Sequence, residues 1–235
     1  MCGPDSSHTH THDSNEVHVH QNILSHNDSH AEENRKLFHN NKTLCINIIS
    51  SPGSGKTTLL EKTAKILKDK YKLAFLIGDL ETDRDAQRIR NQGVPAFQLT
   101  TAGACHLEAP LISVGLKILE SQMKEHPQIL FIENVGNLVC PSAYDLGEEI
   151  RVVLVSSPEG DDKPAKYPTV FRSSQVFLIT KTDVSEHFDF SQDKVKQEAL
   201  MLNPYLEVIE LSSKTGAGLD KWIEFIENSY KKLAG

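Results

Sequence analysis

Ser50-Ser51-Pro52-Gly53-Ser54-Gly55-Lys56-Thr57-Thr58 stands between two stretches of different character. Before it, Leu44-Cys45-Ile46-Asn47-Ile48-Ile49 is a nearly continuous apolar run, which reads as a buried strand. After it, Leu59 to Leu67 spaces apolar residues at roughly helical intervals. A strand, a Gly-rich turn, Gly-Lys-Thr and a helix are the context in which this pattern becomes a phosphate loop. Glycines let the backbone wrap a phosphate chain with N–H groups inward, and the helix N-terminus adds partial positive charge. Gly53, Ser54, Gly55, Lys56, Thr57 and Thr58 are therefore candidate nucleotide-binding residues. Lys56 is expected to reach the β- and γ-phosphates, and the Thr57 hydroxyl to ligate Mg²⁺. The usual pattern has glycine at the position of Ser50.

Outward from this loop, strands alternate with helices. Leu73–Ile77 is a second strand, followed by an acidic run that includes Asp79 and Asp83. Acids just after a parallel strand lie at the carboxyl edge of the sheet, where ligands bind in open α/β folds. Asp79 is a candidate Mg²⁺ ligand, and Asp83 a candidate to orient an attacking water. Asp83 reads equally as a charged helix N-terminus. Residues 84–92 look helical, 95–99 form a short strand, and a helix is expected from about 100 to 125. Gln128 to Glu133 reads as a buried strand whose terminal Glu133 is a second Mg²⁺-side carboxylate, with Gly136 placed to meet the γ-phosphate. Cys105 and His106 are adjacent near a helix start, and Cys140 follows Gly136 at the sheet edge. Adjacent residues rarely close a tetrahedral shell, so the pair alone reads better as a capped turn. Residues 157–168, dense in proline and charge, read as an exposed loop suited to binding or subunit contact. Strands at 151–156, 176–179 and 206–211 and helices at 191–202 and 219–233 complete a parallel, doubly wound α/β sheet.

The first forty residues differ from the rest. They hold eight of the eleven histidines and almost no apolar residue before Ile23. Such a stretch cannot bury enough surface to offset chain entropy, and His-rich tracts read as metal binding. Residues 1–29 are thus expected to be a disordered metal-binding tail, with Cys2, His8, His10, His12, His18 and His20 as storage ligands. Residues 30–235 are expected to be one phosphate-loop domain, entered through a short helix at 30–38.

Composition sets further bounds. The chain has 235 residues and net charge −7, so it carries no basic footprint for nucleic acid. Its apolar runs fall short of the roughly 20 residues that span a bilayer, and its N-terminus lacks secretory features. A cytoplasmic protein without membrane or nucleic-acid partners is expected, with its four cysteines free or ligating.

Four patterns in one order carry a resemblance: the phosphate loop, the acidic switch, Thr180-Lys181-Thr182-Asp183, and Ser212-Ser213-Lys214-Thr215-Gly216. The order resembles a phosphate-loop GTPase. In that class the Asp183 carboxylate would accept two hydrogen bonds from guanine, which adenine cannot supply. Lys181 would pack over the base, Ser213 and Lys214 would support it, and Thr180 stands where asparagine is usual. Gly-x-Cys-His-Leu at 103–107, Glu-Asn-Val-Gly-Asn-Leu-Val-Cys-Pro at 133–141 and Glu-Gly-Asp-Asp-Lys-Pro-x-Lys-Tyr-Pro at 159–168 narrow it. With these, residues 30–235 resemble the HypB family, nickel-inserting GTPases of nickel–iron hydrogenase maturation. The resemblance implies a slow GTP hydrolase using Lys56, Asp79 and Asp83. It implies GTP, GDP and Mg²⁺ as ligands, and a Ni²⁺ or Zn²⁺ site at Cys105, His106 and Cys140. It further implies a GTP-favoured homodimer whose partners are a second nickel accessory protein and the hydrogenase large subunit. The Cys-x-x-Cys-Gly-Cys start of some members is absent, since only Cys2-Gly3 remains. The Cys-Pro-His motif of the urease-maturation GTPases is absent too, because Ser142 follows Cys140-Pro141. A nickel store with a vestigial nucleotide domain and a kinase are the remaining readings; an intact Lys56-Thr57 and the base loops weigh against them.

Overall fold

The computed structural model describes residues 14–79, 82–101 and 103–235, and side chains from Leu24 onward. Seven parallel strands form one sheet in the order β3-β2-β4-β1-β5-β6-β7. They are β1 (Leu44–Ser50), β2 (Leu73–Asp79), β3 (Ala96–Thr100), β4 (Ile129–Glu133), β5 (Ile150–Ser156), β6 (Val176–Thr180) and β7 (Glu207–Glu210). The helices are α1 (Ser14–Asn40), α2 (Lys56–Leu67), α3 (Arg84–Arg90), α4 (Ala109–Met123), α5 (Lys163–Lys166), α6 (Pro168–Ser173), α7 (Gln192–Leu202) and α8 (Leu219–Ala234).

Alternation along the strands sorts their side chains onto two covered faces. Leu44, Ile46 and Ile48 of β1 join Phe131, Leu154 and Leu178 in a core closed by α2, α3 and α8. Trp222 of α8 lies fully buried there, its indole N–H donating to Thr63 Oγ1 at 3.0 Å. On the opposite face, Cys45, Leu76, Leu130 and Ile132 pack under α1 and α4. Ile49, Val153, Phe177 and Ile179 pack under α6 and α7. Polar edge strands bound the sheet: Glu207 and Glu210 of β7 point to solvent, which discourages edge pairing. The phosphate loop leaves the end of β1, flanked by the ends of β4 and β5, where the strand order reverses.

The N-terminal segment departs from its composition. Residues 24–29, which the expected boundary at 30 placed in the tail, belong to the helix that was expected only at 30–38. The folded unit also starts before residue 30, since Asn27, Ala31 and Asn34 are already buried. Asn27 Oδ1 accepts from the Ala109 N–H at 2.9 Å, while its amide donates to Asp145 O at 2.8 Å. Asn34 donates to the carbonyls of Ala109 (2.9 Å) and Leu146 (3.1 Å). Arg35 grips the Asp145 carboxylate with both oxygens, at 2.9 and 2.7 Å. These side chains satisfy backbone groups of distant segments, so α1 is held by partners that its own sequence does not display. Asn34→Ala is expected to cost about 2 kcal/mol, because the Leu146 and Ala109 carbonyls lose its amide, and the Ser113 hydroxyl is left with only its 3.4 Å bond to Ala109 O. Calorimetry should show the melting temperature lowered by about 4–8 °C.

Two other expectations move. The helix expected from residue 100 begins at Ala109, because residues 103–108 are loop and Gly103 takes a positive φ of 94°. Its first free N–H is capped by Asn27, far away in sequence. The exposed loop expected at 157–168 is partly ordered: Ser157–Glu159 forms a 3-10 turn, α5 follows, and Pro164 is buried. Asp161 ties it to the start of α7 through the Ser191 N–H (3.2 Å) and Lys194 (2.8 Å). None of the helices among the described residues is long and apolar enough to cross a membrane.

Candidate functional site

Two cavities meet at the end of β1. The larger, about 500 Å³, is lined by the phosphate loop from Pro52 to Thr58, by Asp79, by Glu133 to Gly136, and by Asp85, Arg88 and Lys181. The second, about 250 Å³, shares Gly55, Thr58 and Lys181 and adds Ser54, Thr180, Asp183, Val184, Ser213 and Lys214. The sequence-proposed nucleotide residues thus lie around one continuous space, phosphate end to base end.

The loop conformation follows from its residues. Gly53 and Gly55 take positive φ values of 76° and 99°, which a side chain resists. Position 50 has no positive φ among those recorded and is fully buried, so it requires smallness rather than glycine. The Ser50 hydroxyl donates to Ser51 O (2.8 Å), is bonded to Ser54 Oγ, and accepts from Lys56 Nζ at 2.8 Å. Gly136 approaches Pro52 so closely that a Cβ would come within 3.0 Å of its backbone.

Thr57 Oγ1 donates to Glu133 Oε1 at 2.7 Å. Glu133 Oε2 is buried with no hydrogen-bond partner among the described residues. Burial pushes the Glu133 carboxyl up to about 7, against the opposing pull of Lys56, whose own ammonium burial holds below its ordinary value. An orphaned carboxylate oxygen beside a threonine hydroxyl is the hard-oxygen donor set that Mg²⁺ takes, so these residues fit that ion. Asp79 is at the cavity wall, and Thr82 donates to its Oδ2 at 3.0 Å. Asp83 is elsewhere: it pairs with Arg90 and does not line the cavity.

The raised Glu133 carboxyl predicts a pH effect. The folded, nucleotide-free chain binds a proton there between about 4.5, the ordinary value, and about 7, where the unfolded chain does not. Stability from this group is present below 4.5 and lost as pH rises through 7. Glu133→Gln is therefore expected to gain stability relative to the parent between pH 5 and 8, read as the difference in urea midpoint.

At the base end, Asp183 Oδ1 accepts from Ser212 Oγ at 2.6 Å, a bond that holds its carboxyl below the usual range. Thr180, standing where asparagine is usual, donates to Ser54 O at 2.7 Å, and Lys181 Nζ donates to Gly53 O at 2.7 Å. Both bonds lock the base loop to the phosphate loop. Asp85 and Arg88 escaped the sequence reading. Arg88 reaches Thr58 Oγ1 at 3.1 Å, Glu61 at 2.6 Å and Asp85 at 3.1 Å. Their signal was their shared face, one turn apart on a short helix after the acidic run.

A second cluster adjoins the first. One ligand atom each from Cys105, His106 and Cys140 lie within 4.8 Å of one another. The His106 ring stacks on Tyr144, centroids 3.8 Å apart. Its Nε2 is buried without a hydrogen bond, although Glu108 lies 3.5 Å away. The Cys140 thiol is pushed up chiefly by its hydrogen bond with Cys105. Two thiols and an imidazole form a borderline-soft donor set that suits Ni²⁺ or Zn²⁺ and leaves coordination positions open. The structure thus brings together the pair that read as a capped turn and the later cysteine. Among the tail candidates, Cys2, His8, His10 and His12 lie outside the described residues, and His18 and His20 fall on α1 where side chains are not described.

Known proteins resemble this chain over most of its length. Residues 44–210 match the family described as CobW/HypB/UreG, nucleotide-binding domain. The hydrogenase maturation factor HypB of Azotobacter chroococcum mcd 1 is 45% identical over 90% of this chain and 68% of its own length. The hydrogenase/urease maturation factor HypB of Helicobacter hepaticus is 45% identical over 87% of this chain and 84% of its own. A crystal structure of HypB from Helicobacter pylori in complex with nickel superposes with a TM-score of 0.83 at 41% identity, covering 88% of this chain and 95% of that one. With its phosphate loop, its parallel sheet and its high-coverage relatives, this chain belongs to the HypB family of phosphate-loop nucleotide-binding proteins.

Proposed function

We propose that this chain is a metal-binding GTPase that delivers nickel during nickel–iron hydrogenase maturation, with GTP binding and hydrolysis switching dimerisation and metal release. The observation that carries the reading is contiguity. Gly136 faces the phosphate loop, and Cys140 follows four residues later, within reach of Cys105 and His106. A nucleotide that moves one segment moves a metal ligand.

The chemistry follows from the side chains. Lys56 and the phosphate-loop N–H groups neutralise the phosphate chain, and Thr57, Asp79 and Glu133 hold Mg²⁺, which screens its charge when bound. Asp183 selects guanine by accepting its two N–H groups. Asp83 was the candidate for orienting the water, but Asp79 is the one of the two that lines the cavity. Asp83 could take the role only by leaving Arg90. Few groups favour rapid turnover, which suits a switch that holds GTP until the dimer and its metal are assembled. The partners on this reading are a second copy of the chain, a second nickel accessory protein and the hydrogenase large subunit, all in the cytoplasm. The tail histidines supply nickel.

The test is a nickel titration of the full chain and of Cys140→Ser, each with GDP and with a non-hydrolysable GTP analogue. A fragment beginning at residue 41 is unsuitable, because it removes Ala31, Asn34 and Phe38 from the core. The parent is expected to bind nickel with an affinity that differs between nucleotides by at least about fivefold. Cys140→Ser is expected to lose that difference. Equal responses in both proteins would defeat the reading.

A further inference from the structure

Asn47 is an anomaly: a fully buried polar residue inside apolar β1, on the sheet face covered by α4 and α6. Its hydrogen bonds belong to a closed ring. Its Oδ1 accepts from Asn134 Nδ2 at 3.3 Å, and its Nδ2 donates to Glu148 Oε1 at 3.1 Å. Glu148 also accepts from Arg151 Nε at 2.7 Å and from the Leu146 N–H at 2.8 Å. Arg151 in turn holds the carbonyls of Tyr144 (3.0 Å) and Ser142 (3.2 Å). Tyr144 stacks on His106. The ring closes where Asn134 Oδ1 accepts from the N–H of Leu107, the residue after His106, at 3.3 Å, and from Val135 N at 3.0 Å.

One end of this ring is in the phosphate cavity, because Asn134 sits between Glu133 and Val135. The other end grips the segments on both sides of the metal cluster: residue 107 beside His106, and residues 142 and 144 beyond Cys140. A buried ion pair adds little net stability over apolar packing, so Glu148 and Arg151 need another explanation than stability. A fully satisfied buried network does fix one arrangement of the segments it joins.

We propose that this ring, with Asn47 as its positioning residue, is the element through which nucleotide state sets the geometry of Cys105, His106 and Cys140. The proposal rests on the nucleotide-dependent metal reading above. Asn47 touches neither site. Its amide keeps Asn134 turned so that one oxygen holds both Val135, at the phosphate edge, and Leu107, at the metal edge. When Val135 and Gly136 shift toward phosphate, Leu107 and the Tyr144 segment move together rather than independently.

The experiment uses the full chain carrying Cys2→Ser, so that the thiolate-to-nickel charge-transfer band reports the Cys105 and Cys140 thiols. Nickel is titrated with GDP and with a non-hydrolysable GTP analogue, in this background and with Asn47→Leu added. Asn47→Leu is expected to keep wild-type affinity for each nucleotide without metal, and to lose the nucleotide-dependent difference in nickel affinity. A role in folding alone would lower both affinities and the melting temperature and leave the ratio unchanged. If Asn47→Leu does not fold, Glu148→Gln, which nearly preserves shape, takes its place with the same expectation. If the parent responds to nucleotide and the variant responds equally, the ring is not the coupling element and the proposed function stands. If the parent itself shows no nucleotide dependence, both the ring proposal and that reading fall.

Discussion

Replacing Lys56 with methionine is expected to lower GTP hydrolysis by about 10³-fold, the scale for removing a preorganised charge from a developing anion. Lys56 is buried, and its Nζ is held by Ser50 Oγ at 2.8 Å, inside the loop that would wrap the phosphates. Among the described residues, no neighbouring cation is placed to substitute. Arg88 is committed to Glu61 and Asp85, and Lys181 to Gly53 O. The substitution also removes the charge that opposes burial at Glu133, so that carboxyl should rise beyond about 7 and be neutral at pH 7. Lost activity should therefore be accompanied by weaker Mg²⁺ dependence, because a protonated carboxyl is a poor ligand. Release of phosphate from GTP, measured against Mg²⁺ concentration, checks both. Hydrolysis at the parent's rate would remove the phosphate loop from the mechanism.

Asp183→Asn is expected to weaken GTP binding by roughly 30- to 5,000-fold, the range for spoiling a desolvated charge-assisted pair. The Asp183 carboxylate is held below its usual range by the Ser212 hydroxyl, has its second oxygen 3.9 Å from Lys214 Nζ, and lines the cavity with Ser213 and Lys214. An asparagine amide would set a donor against guanine's two donors. Xanthine carries a carbonyl in place of the exocyclic amine and would meet that amide with the correct polarity. The variant should therefore prefer xanthosine triphosphate to GTP, a reversal that loss of folding cannot produce. Competition of both nucleotides against a fluorescent GDP analogue measures it. Unchanged GTP affinity would show that Asp183 does not read the base.

Much of this arrangement was written locally. Gly53, Gly55, Lys56 and Thr57 lie within five consecutive positions, and a run of that kind fixes its own turn because backbone freedom and side-chain chemistry are intrinsic to the residues. The strands were legible for a similar reason: apolar runs between turn signals leave a buried parallel strand as the economical solution. Glu133 was readable because it ends such a run, and parallel strands deliver their C-terminal residues to one edge, whereas Asp183 was singled out by the resemblance.

Contacts between distant segments were not legible. Spacing alone left Cys105 and His106 as a turn; the resemblance joined them to Cys140, and the fold brings the three together. Asp83 and Asp85 were indistinguishable as acids after a strand, and the pitch of α3 sent one to Arg90 and the other to the cavity. Residues 24–29 read as part of the tail because their apolar content is low, yet the helix through them is anchored by Asn27 and Asn34 to backbone groups of Ala109, Asp145 and Leu146.

The sequence by itself determined the phosphate loop and the alternation of strands and helices along the chain, since each depends on residues a few positions apart. Only the tertiary structure decided which acid faces the cavity, where the N-terminal helix joins the domain, and that Asn47 closes a ring between the two sites. Those outcomes depend on hydrogen bonds and stacking across 7 to 118 positions, whose partners are chosen by how the elements are brought together.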